Sequence, residues 1–280
     1  MPTFETADRT DIRYTDTGSG PVLVFTHSWG LNSGQWDQVI ERLVDNGFRC
    51  VSYDRRGHDG SGPFDGEWTA DLLADDLAAL FDHLDLGDAT LVGHSLGCGE
   101  IVRYLSRHGA GRVDRAVLVA PQLPMVVRTE DNPDGVDEAI LEGMTAALEH
   151  DVRQWCVDNA APFFGDHQVP PEVVEWTMDQ VADLPVATLV ATQQMGAHTD
   201  YRAELAELDL PVLVIQGDAD ASTPIELTGR RTVALLPRGT LIEIPGAAHG
   251  LYLTHADRII DAISVQSPAL TAAECAEIAG

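Results

Sequence analysis

The motif GHSLG at residues 93–97 places Ser95 between two glycines. An apolar run at 89–92 precedes the motif, and apolar residues at helical spacing follow it over 98–107. In this order of strand, sharp turn and helix, the pattern GxSxG holds a serine hydroxyl out as a nucleophile, because the flanking glycines leave room where a Cβ would collide. The amide of Leu96 opens the helix without an internal partner, so it can donate to a developing oxyanion. The alternative is a surface turn that contains the pattern by chance.

A serine nucleophile needs a base within hydrogen-bond reach and an acid that orients the base. The apolar run 211–216 leads directly into Gly-Asp-Ala-Asp, which puts Asp218 and Asp220 at the carboxyl end of a predicted strand. The next predicted strand, 240–244, is followed by a loop of small residues that contains His249. We expect His249 to be the base and Asp220 to be the acid, because at position 220 the chain has left the strand and can turn toward the histidine loop. Asp218 is the alternative acid, and its expected role is to fix the turn by hydrogen bonds to the backbone.

A second oxyanion donor is expected from the loop after an early strand. The segment Thr-His-Ser-Trp-Gly at 26–30 follows an unbroken apolar run, and the amide of Trp29 is the predicted donor, with its indole as a wall of the pocket. If Trp29 were only a core aromatic residue, its ring would be buried and its amide would point away from Ser95. His27 and His94 adjoin the site and are expected to support it by hydrogen bonds.

Apolar runs bounded by turn residues alternate with segments of helical spacing along most of the chain. This alternation predicts an α/β fold with a mostly parallel central sheet flanked by helices, because parallel strands need helical crossovers. Eight strands are predicted, at 4–6, 12–15, 21–26, 48–53, 89–92, 116–120, 211–216 and 240–244. The helices predicted outside the middle of the chain lie near 36–44, 72–81, 98–107, 224–236 and 257–263. Ligands of such sheets gather at the carboxyl ends of the strands, which is where the candidate catalytic residues lie.

Between 121 and 208 the pattern changes to helical segments broken by prolines, with no strand signal. An insertion of this kind after a strand is typical of a cap that shapes a binding pocket. We therefore predict an α/β core at 1–120 and 209–265, a helical cap at 121–208, and a C-terminal tail at 266–280 with no assigned function. Four cap residues are candidates for an apolar pocket lining, with simple packing as the alternative: Phe163, Phe164, Trp176 and Met195.

The composition excludes several classes of partner. The formal net charge is -28, with 45 acidic residues against 17 basic ones, and every basic residue is arginine. Nucleic acids and anionic membranes both need a basic surface, so neither is an expected partner. No apolar stretch reaches the length of a membrane span and the first residues lack a signal-peptide pattern, which indicates a cytoplasmic protein. The four cysteines form no CxxC pair, so neither a disulfide framework nor a metal site is expected.

The excess of acidic residues predicts adaptation to a cytoplasm of high salt concentration. Screening by concentrated salt removes the self-repulsion that would destabilise such a chain in dilute buffer. Codon bias in a GC-rich genome is the alternative reason for the missing lysines, but it does not by itself explain the excess of acids. The sequence leaves homo-oligomer formation open.

The chain resembles the α/β-hydrolase superfamily and, within it, the cofactor-free bacterial haloperoxidases, which are also described as perhydrolases and aryl esterases. The resemblance extends from Phe4 to about Ile263. It rests on the residues at 26–32, 54–58, 93–97, 128–135, 162–165, 217–220 and 249–250. It implies an α/β-hydrolase fold, no metal or organic cofactor, and the following site residues: a catalytic triad of Ser95, Asp220 and His249, and an oxyanion hole made by the amides of Trp29 and Leu96.

The chain departs from this family in two places, the loop at 27–30 and the residue before Ser95. The family usually has His-Gly-Trp-Pro where this chain has His-Ser-Trp-Gly at 27–30, and that proline is linked to the use of peroxide in place of water. The family also usually carries an aromatic residue where His94 stands.

Both departures favour hydrolysis, so we predict a serine hydrolase that cleaves small to medium carboxylic esters through an acyl-enzyme intermediate on Ser95. Perhydrolase or haloperoxidase-like activity is one alternative, and a ligand-binding receptor that retains the triad is another. An amidase or a lactonase would use the same machinery, so the sequence does not decide the leaving group.

Overall fold

Eight strands form one sheet in the order β1-β2-β4-β3-β5-β6-β7-β8 in the computed structural model, which describes residues 1–167, 169–265 and 278–279. The strands are β1 Thr3–Glu5, β2 Asp11–Gly18, β3 Val22–Thr26, β4 Arg49–Tyr53, β5 Ala89–His94, β6 Val113–Val119, β7 Val212–Gly217 and β8 Gly239–Ile244. Strand β2 pairs antiparallel with both β1 and β4, and the pairs from β4 to β8 are parallel. The predicted mostly parallel sheet is therefore confirmed.

Helices cover both faces of the sheet. They are α1 Asp37–Asp45, α2 Ala70–His83, α3 Leu96–His108, α4 Glu138–His150, α5 Val152–Phe164, α6 Pro171–Ala182, α7 Val186–His198, α8 Arg202–Glu207, α9 Gly229–Leu235, α10 Leu251–Thr254 and α11 Ala256–Ser264. One apolar core joins the sheet to α2 and α3, and a second core joins its other face to α1 and α11. The central strands are buried on both faces, which explains why they are nearly unbroken apolar runs in the sequence.

Five helices, α4 to α8, lie between β6 and β7, in the stretch where the sequence shows no strand pattern. Part of this insertion has a small apolar core of its own, formed by Val127, Leu141 and Ala197. The division into a core and a cap with the boundaries given above stays a prediction. The predicted tail at 266–280 lies outside the described residues, apart from 278–279.

Helix α9 begins at Gly229, five residues after the predicted start at Pro224. The intervening segment folds into turns in which the amides of Leu227 and Thr228 donate to the carbonyl of Pro224. The buried Gln216 side chain binds the residues on either side of this segment: it donates to the carbonyl of Thr223 and accepts from the amide of Gly229. Among the described residues, no helix is long and apolar enough to cross a membrane.

Candidate active site

Ser95 stands at the junction of β5 and α3 with φ of 55° and ψ of -115°. A positive φ is costly for a residue with a Cβ, so the surrounding structure must impose it. The motif glycines make the junction possible. A Cβ on Gly97 would lie 2.5 Å from Thr26 Oγ1 and 2.8 Å from the carbonyl oxygen of His27, and one on Gly93 would lie 2.9 Å from the carbonyl of Gly97. The loop after β3 therefore lies directly against the turn that carries Ser95.

Leu96 is the first residue of α3, and Trp29 lies in the loop that touches the turn at Ser95, which we call the elbow. Neither backbone amide has a hydrogen-bond acceptor among the residues that the structure describes. Both amides therefore remain available as donors, as an oxyanion hole requires. The ring of Trp29 is half-buried, its indole N–H donates to the carbonyl of Leu189 on α7 at 3.0 Å, and its ring lies edge-on to Trp155, with 5.2 Å between ring centroids. Trp29 thus links the predicted oxyanion loop to the inserted helices.

Asp220 and His249 meet in a buried hydrogen bond: His249 Nδ1 lies 2.9 Å from Asp220 Oδ2. The other carboxylate oxygen of Asp220 accepts from the amides of Ser222 and Thr223, both at 2.9 Å, and Oδ2 also accepts from the Thr223 hydroxyl at 2.8 Å. Burial raises the pKa of the Asp220 carboxyl, but His249 and the Thr223 donors together outweigh it, so the pKa lies below its ordinary value. The carboxylate is therefore ionised at neutral pH and fixes which His249 nitrogen carries hydrogen.

Asp218 takes the other predicted role. It is exposed, and its Oδ1 accepts from the amide of Gly246 at 2.6 Å, which ties the turn after β7 to the turn after β8. Asp220 is the carboxylate that contacts His249. The structure thus brings Asp220 and His249 together and leaves Asp218 at the turn.

The loop of His249 is held next to the elbow by neighbours on two sides. His94, the residue before Ser95, lies 3.0 Å through Nε2 from the carbonyl oxygen of His249, and the two ring centroids are 4.8 Å apart. On the other side, the ring of Phe163 at the end of α5 lies 5.5 Å from the imidazole of His249, and the Phe163 carbonyl accepts from the amide of Gly250. Across the described parts of the chain, neither Ser95 Oγ nor His249 Nε2 is engaged in another hydrogen bond, so both are free for a contact with each other.

The loop of residues 26–30 is held in place by hydrogen bonds from buried polar groups. His27 Nε2 accepts from the amide of Arg55, and the Arg55 guanidinium binds the carbonyl of Ser28 and pairs with Glu100 of α3 at 2.6 Å. Burial, and after it the charge of Arg55, hold the pKa of His27 well below its ordinary value. His27 is therefore a neutral structural support, as expected.

The candidate lining residues divide between the site and the surface. Phe163 contacts the imidazole of His249, and Phe164 is buried against the ring of Phe163. Trp176 is 42% exposed and lines a cavity of about 250 Å³ with Gly34 and Leu253 among others. It also lines a second cavity, of about 430 Å³, together with Leu31 and Asn32 of the loop after β3, and its role in the pocket stays a prediction. Met195 is half-buried on α7.

Sequence reasoning missed the polar residues that hold the site together. Thr223, Gln216 and Gln35 have no motif of their own: Thr223 and Gln216 bind Asp220, and Gln35 binds His94. Within the described chain, no three His, Cys, Asp or Glu side chains cluster as a metal site would require.

The chain is similar in sequence and structure to enzymes that share one fold. Residues 21–256 match the family described as alpha/beta hydrolase fold. The chain is 35% identical to a non-heme chloroperoxidase of Kitasatospora aureofaciens, over 92% of this chain and 95% of that protein. It is 34% identical to a bifunctional esterase/perhydrolase of Acinetobacter calcoaceticus, over 91% and 95%. The crystal structure of a bromoperoxidase from Bacillus anthracis superposes with a TM-score of 0.87 at 31% identity, covering 91% of this chain and 94% of that one.

Proposed function

The chain belongs to the α/β-hydrolase fold family and to its haloperoxidase-like branch, and on this premise we propose that it is a serine hydrolase that cleaves small to medium carboxylic esters. The observation that carries the proposal is the buried Asp220–His249 hydrogen bond beside a strained Ser95. A carboxylate that orients an imidazole next to a serine hydroxyl is the arrangement that acyl transfer requires.

In the proposed reaction, His249 Nε2 accepts the proton of Ser95 as the oxygen attacks the ester carbonyl. Asp220 keeps hydrogen on Nδ1 and stabilises the imidazolium that forms. The C–O bond of the ester then breaks, and the alcohol leaves with the proton from His249. Water attacks the acyl group on Ser95 with His249 again as the base, which releases the carboxylic acid and restores the hydroxyl.

The tetrahedral intermediates carry a negative oxygen, for which we propose the amides of Leu96 and Trp29 as donors. Leu96 brings the positive end of α3 as well as its own amide. In other enzymes, removal of one such donor slows the reaction by roughly 100- to 1,000-fold. The inserted helices reach this site through Trp29 and Phe163, so they are the proposed source of substrate selectivity.

The named activities of the relatives support ester hydrolysis and haloperoxidase or perhydrolase activity equally. Our choice of hydrolysis rests on Gly30, which has a φ of 68°. Proline is restricted to φ near about -65°, so the proline that this family links to peroxide use could not adopt the backbone found here. Perhydrolysis is the second candidate function, and the loop conformation predicts that it is slow.

The proposal is tested by hydrolysis of a p-nitrophenyl ester series of increasing acyl length at high salt, with Ser95→Ala as the control. Turnover that is lost in Ser95→Ala supports the proposal. Peracid-dependent halogenation from peroxide and a short carboxylic acid, at rates above ester hydrolysis, would favour the perhydrolase. Tight ligand binding without turnover would favour a receptor that retains the triad.

Several features of the proposal rest on the sequence alone. These are the cytoplasmic location, the small-molecule substrate with no nucleic-acid or membrane partner, and the adaptation to high salt. The formal net charge of -28 is the basis for the last of these.

A further inference from the structure

A chain of three buried hydrogen bonds runs through His94 and joins the two loops that flank Ser95. The amide of Ser28 donates to Gln35 Oε1 at 2.8 Å, Gln35 Nε2 lies 3.3 Å from His94 Nδ1, and His94 Nε2 lies 3.0 Å from the carbonyl of His249. Gln35 is 1% exposed and His94 is fully buried. This series of hydrogen bonds thus starts one residue before Trp29 and ends on the backbone carbonyl of His249, the proposed base.

Only one arrangement of hydrogens satisfies every member of this chain. The carbonyl of His249 can only accept, so His94 Nε2 must carry a hydrogen. His94 Nδ1 is then an acceptor in the neutral ring, and it takes a hydrogen from the Gln35 amide group. This orientation turns Gln35 Oε1 toward the amide of Ser28, which can only donate. Burial, and after it the neighbouring His249, hold the pKa of His94 well below its ordinary value, so the ring stays neutral.

His249 is therefore held at two points. Its imidazole is fixed by Asp220, and its backbone carbonyl is fixed by His94. The rings of Trp36 and Tyr252 also pack against the ring of His94, at 6.3 Å and 5.0 Å between centroids. Because the same side chain reaches Ser28 through Gln35, a shift of either loop would break a buried hydrogen bond.

We propose that His94 is a positioning residue, which couples the loop of the base to the loop of the oxyanion donor so that both keep their places around Ser95. This inference rests on the proposed function, since it concerns the same reaction. His94 touches no reacting atom in this account. It acts through the backbone of His249 and, by way of Gln35, through the backbone of Ser28.

The test compares three substitutions of His94 that keep different bonds. His94→Phe removes both hydrogen bonds and keeps a ring. His94→Gln can place an amide N–H near the position of Nε2 and so keep the donor to His249. His94→Asn is shorter, and its amide reaches only the position of Nδ1. Val92→Ala is the control, because it removes packing from the same buried strand without touching the chain of hydrogen bonds.

Each variant is measured for kcat and KM with a p-nitrophenyl ester and for the pH dependence of kcat/KM. Displacement of catalytic groups by about 1 Å costs roughly 100-fold in rate, so we expect His94→Phe to lower kcat by about 10- to 100-fold with little change in KM. Within the part of the chain that the structure describes, the ionisable groups that contact His249 are Asp220 and His94. A loosened Asp220 contact stabilises the imidazolium less, so the acid limb of the profile moves to lower pH by about half a unit or more. A loss of folded protein alone lowers the rate without moving this limb.

The expected order of activity is wild type, His94→Gln, His94→Asn, His94→Phe, with the limb displaced in the last two. If His94→Phe does not fold, the Gln and Asn variants decide, because they differ in the bond to His249 that they retain. If His94→Gln and His94→Asn had the same kcat and the same acid limb in their pH profiles, the proposal would be overturned. It would also be overturned if Val92→Ala lowered kcat and displaced the acid limb as much as the His94 variants do. The wild-type rate and its loss in Ser95→Ala are measured in the same series, so a failure of the proposed function is recognised separately, by the absence of Ser95-dependent turnover.

Discussion

Replacing Asp220 with asparagine, with Asp218→Asn as the matched control, tests the assignment of the triad acid. Both substitutions remove one negative charge from the same turn, and the two side chains differ in what they bind. Asp220 is buried against His249, whereas Asp218 is exposed and bound to the amide of Gly246. Comparing the two variants therefore distinguishes the effect of losing the orientation of His249 from the effect of losing a negative charge in this loop.

The structure determines how the introduced asparagine must orient its amide. The oxygen Oδ1 of Asp220 accepts from the amides of Ser222 and Thr223, so an asparagine keeps its own oxygen there and turns its NH2 group toward His249 Nδ1. That nitrogen must then be an acceptor, which places hydrogen on His249 Nε2. An imidazole in this tautomer cannot take the proton of Ser95.

The expected loss in kcat is about 10,000-fold, or about 5.5 kcal/mol of transition-state stabilisation. Asp218→Asn keeps the oxygen that accepts from Gly246, and we expect its kcat to stay within about twofold of wild type. The assay is the initial rate of p-nitrophenyl ester hydrolysis at high salt, with the melting temperature as a check of folding. If Asp220→Asn kept a tenth or more of wild-type kcat while folded, or if Asp218→Asn lost more than it, the assignment would be wrong.

Three further predictions follow from the packing, the charge and the pKa of the site. Gly97→Ala would put a Cβ 2.5 Å from Thr26 Oγ1 and 2.8 Å from the carbonyl of His27, so we expect a stability loss of about 1–3 kcal/mol and at least a tenfold drop in kcat. Gly87→Ala is the control, because a Cβ there would have no atom within 4 Å, and it should leave stability and kcat unchanged. Urea unfolding measures the stability, and ester hydrolysis measures kcat. The folded-state pKa of Asp220 is below the unfolded value of about 3.9, so the contribution of its ionised carboxylate to stability is present above about pH 4 and is lost as the pH falls through the folded-state pKa. The difference in unfolding free energy between wild type and Asp220→Asn should therefore shrink below about pH 4. A difference that grows below about pH 4 would contradict a lowered pKa in the folded state. The net charge of -28 predicts that the melting temperature rises by about 5 °C or more between about 0.1 M and about 3 M NaCl, and a melting temperature insensitive to salt would reject the adaptation to high salt.

The sheet was predictable because burial on both faces leaves a simple pattern. Strands such as β3 and β7 are apolar throughout, and turn residues bound them. The ends were harder to predict where polar residues are buried at the carboxyl edge. Strand β5 continues to His94, two residues past the predicted end, because His94 satisfies its ring nitrogens through Gln35 and His249 instead of in water.

The positions of the proposed catalytic residues were predictable because a short motif and the order of the strands specify them. The groups that support them were not, because they belong to no motif and several of their hydrogen bonds join distant parts of the chain. His94 and the carbonyl of His249 are 155 positions apart, and Gln35 lies in a short turn with no signal of its own.

The most direct test of the account is to trap the intermediate. Wild-type protein is mixed with a slowly hydrolysed ester, quenched with acid during turnover, digested and analysed by mass spectrometry. We expect the mass of one acyl group to be added to the peptide that contains Ser95, and the adduct to be absent in Ser95→Ala. Turnover that persists in Ser95→Ala, or an acyl group found on a different residue, would contradict the central claim.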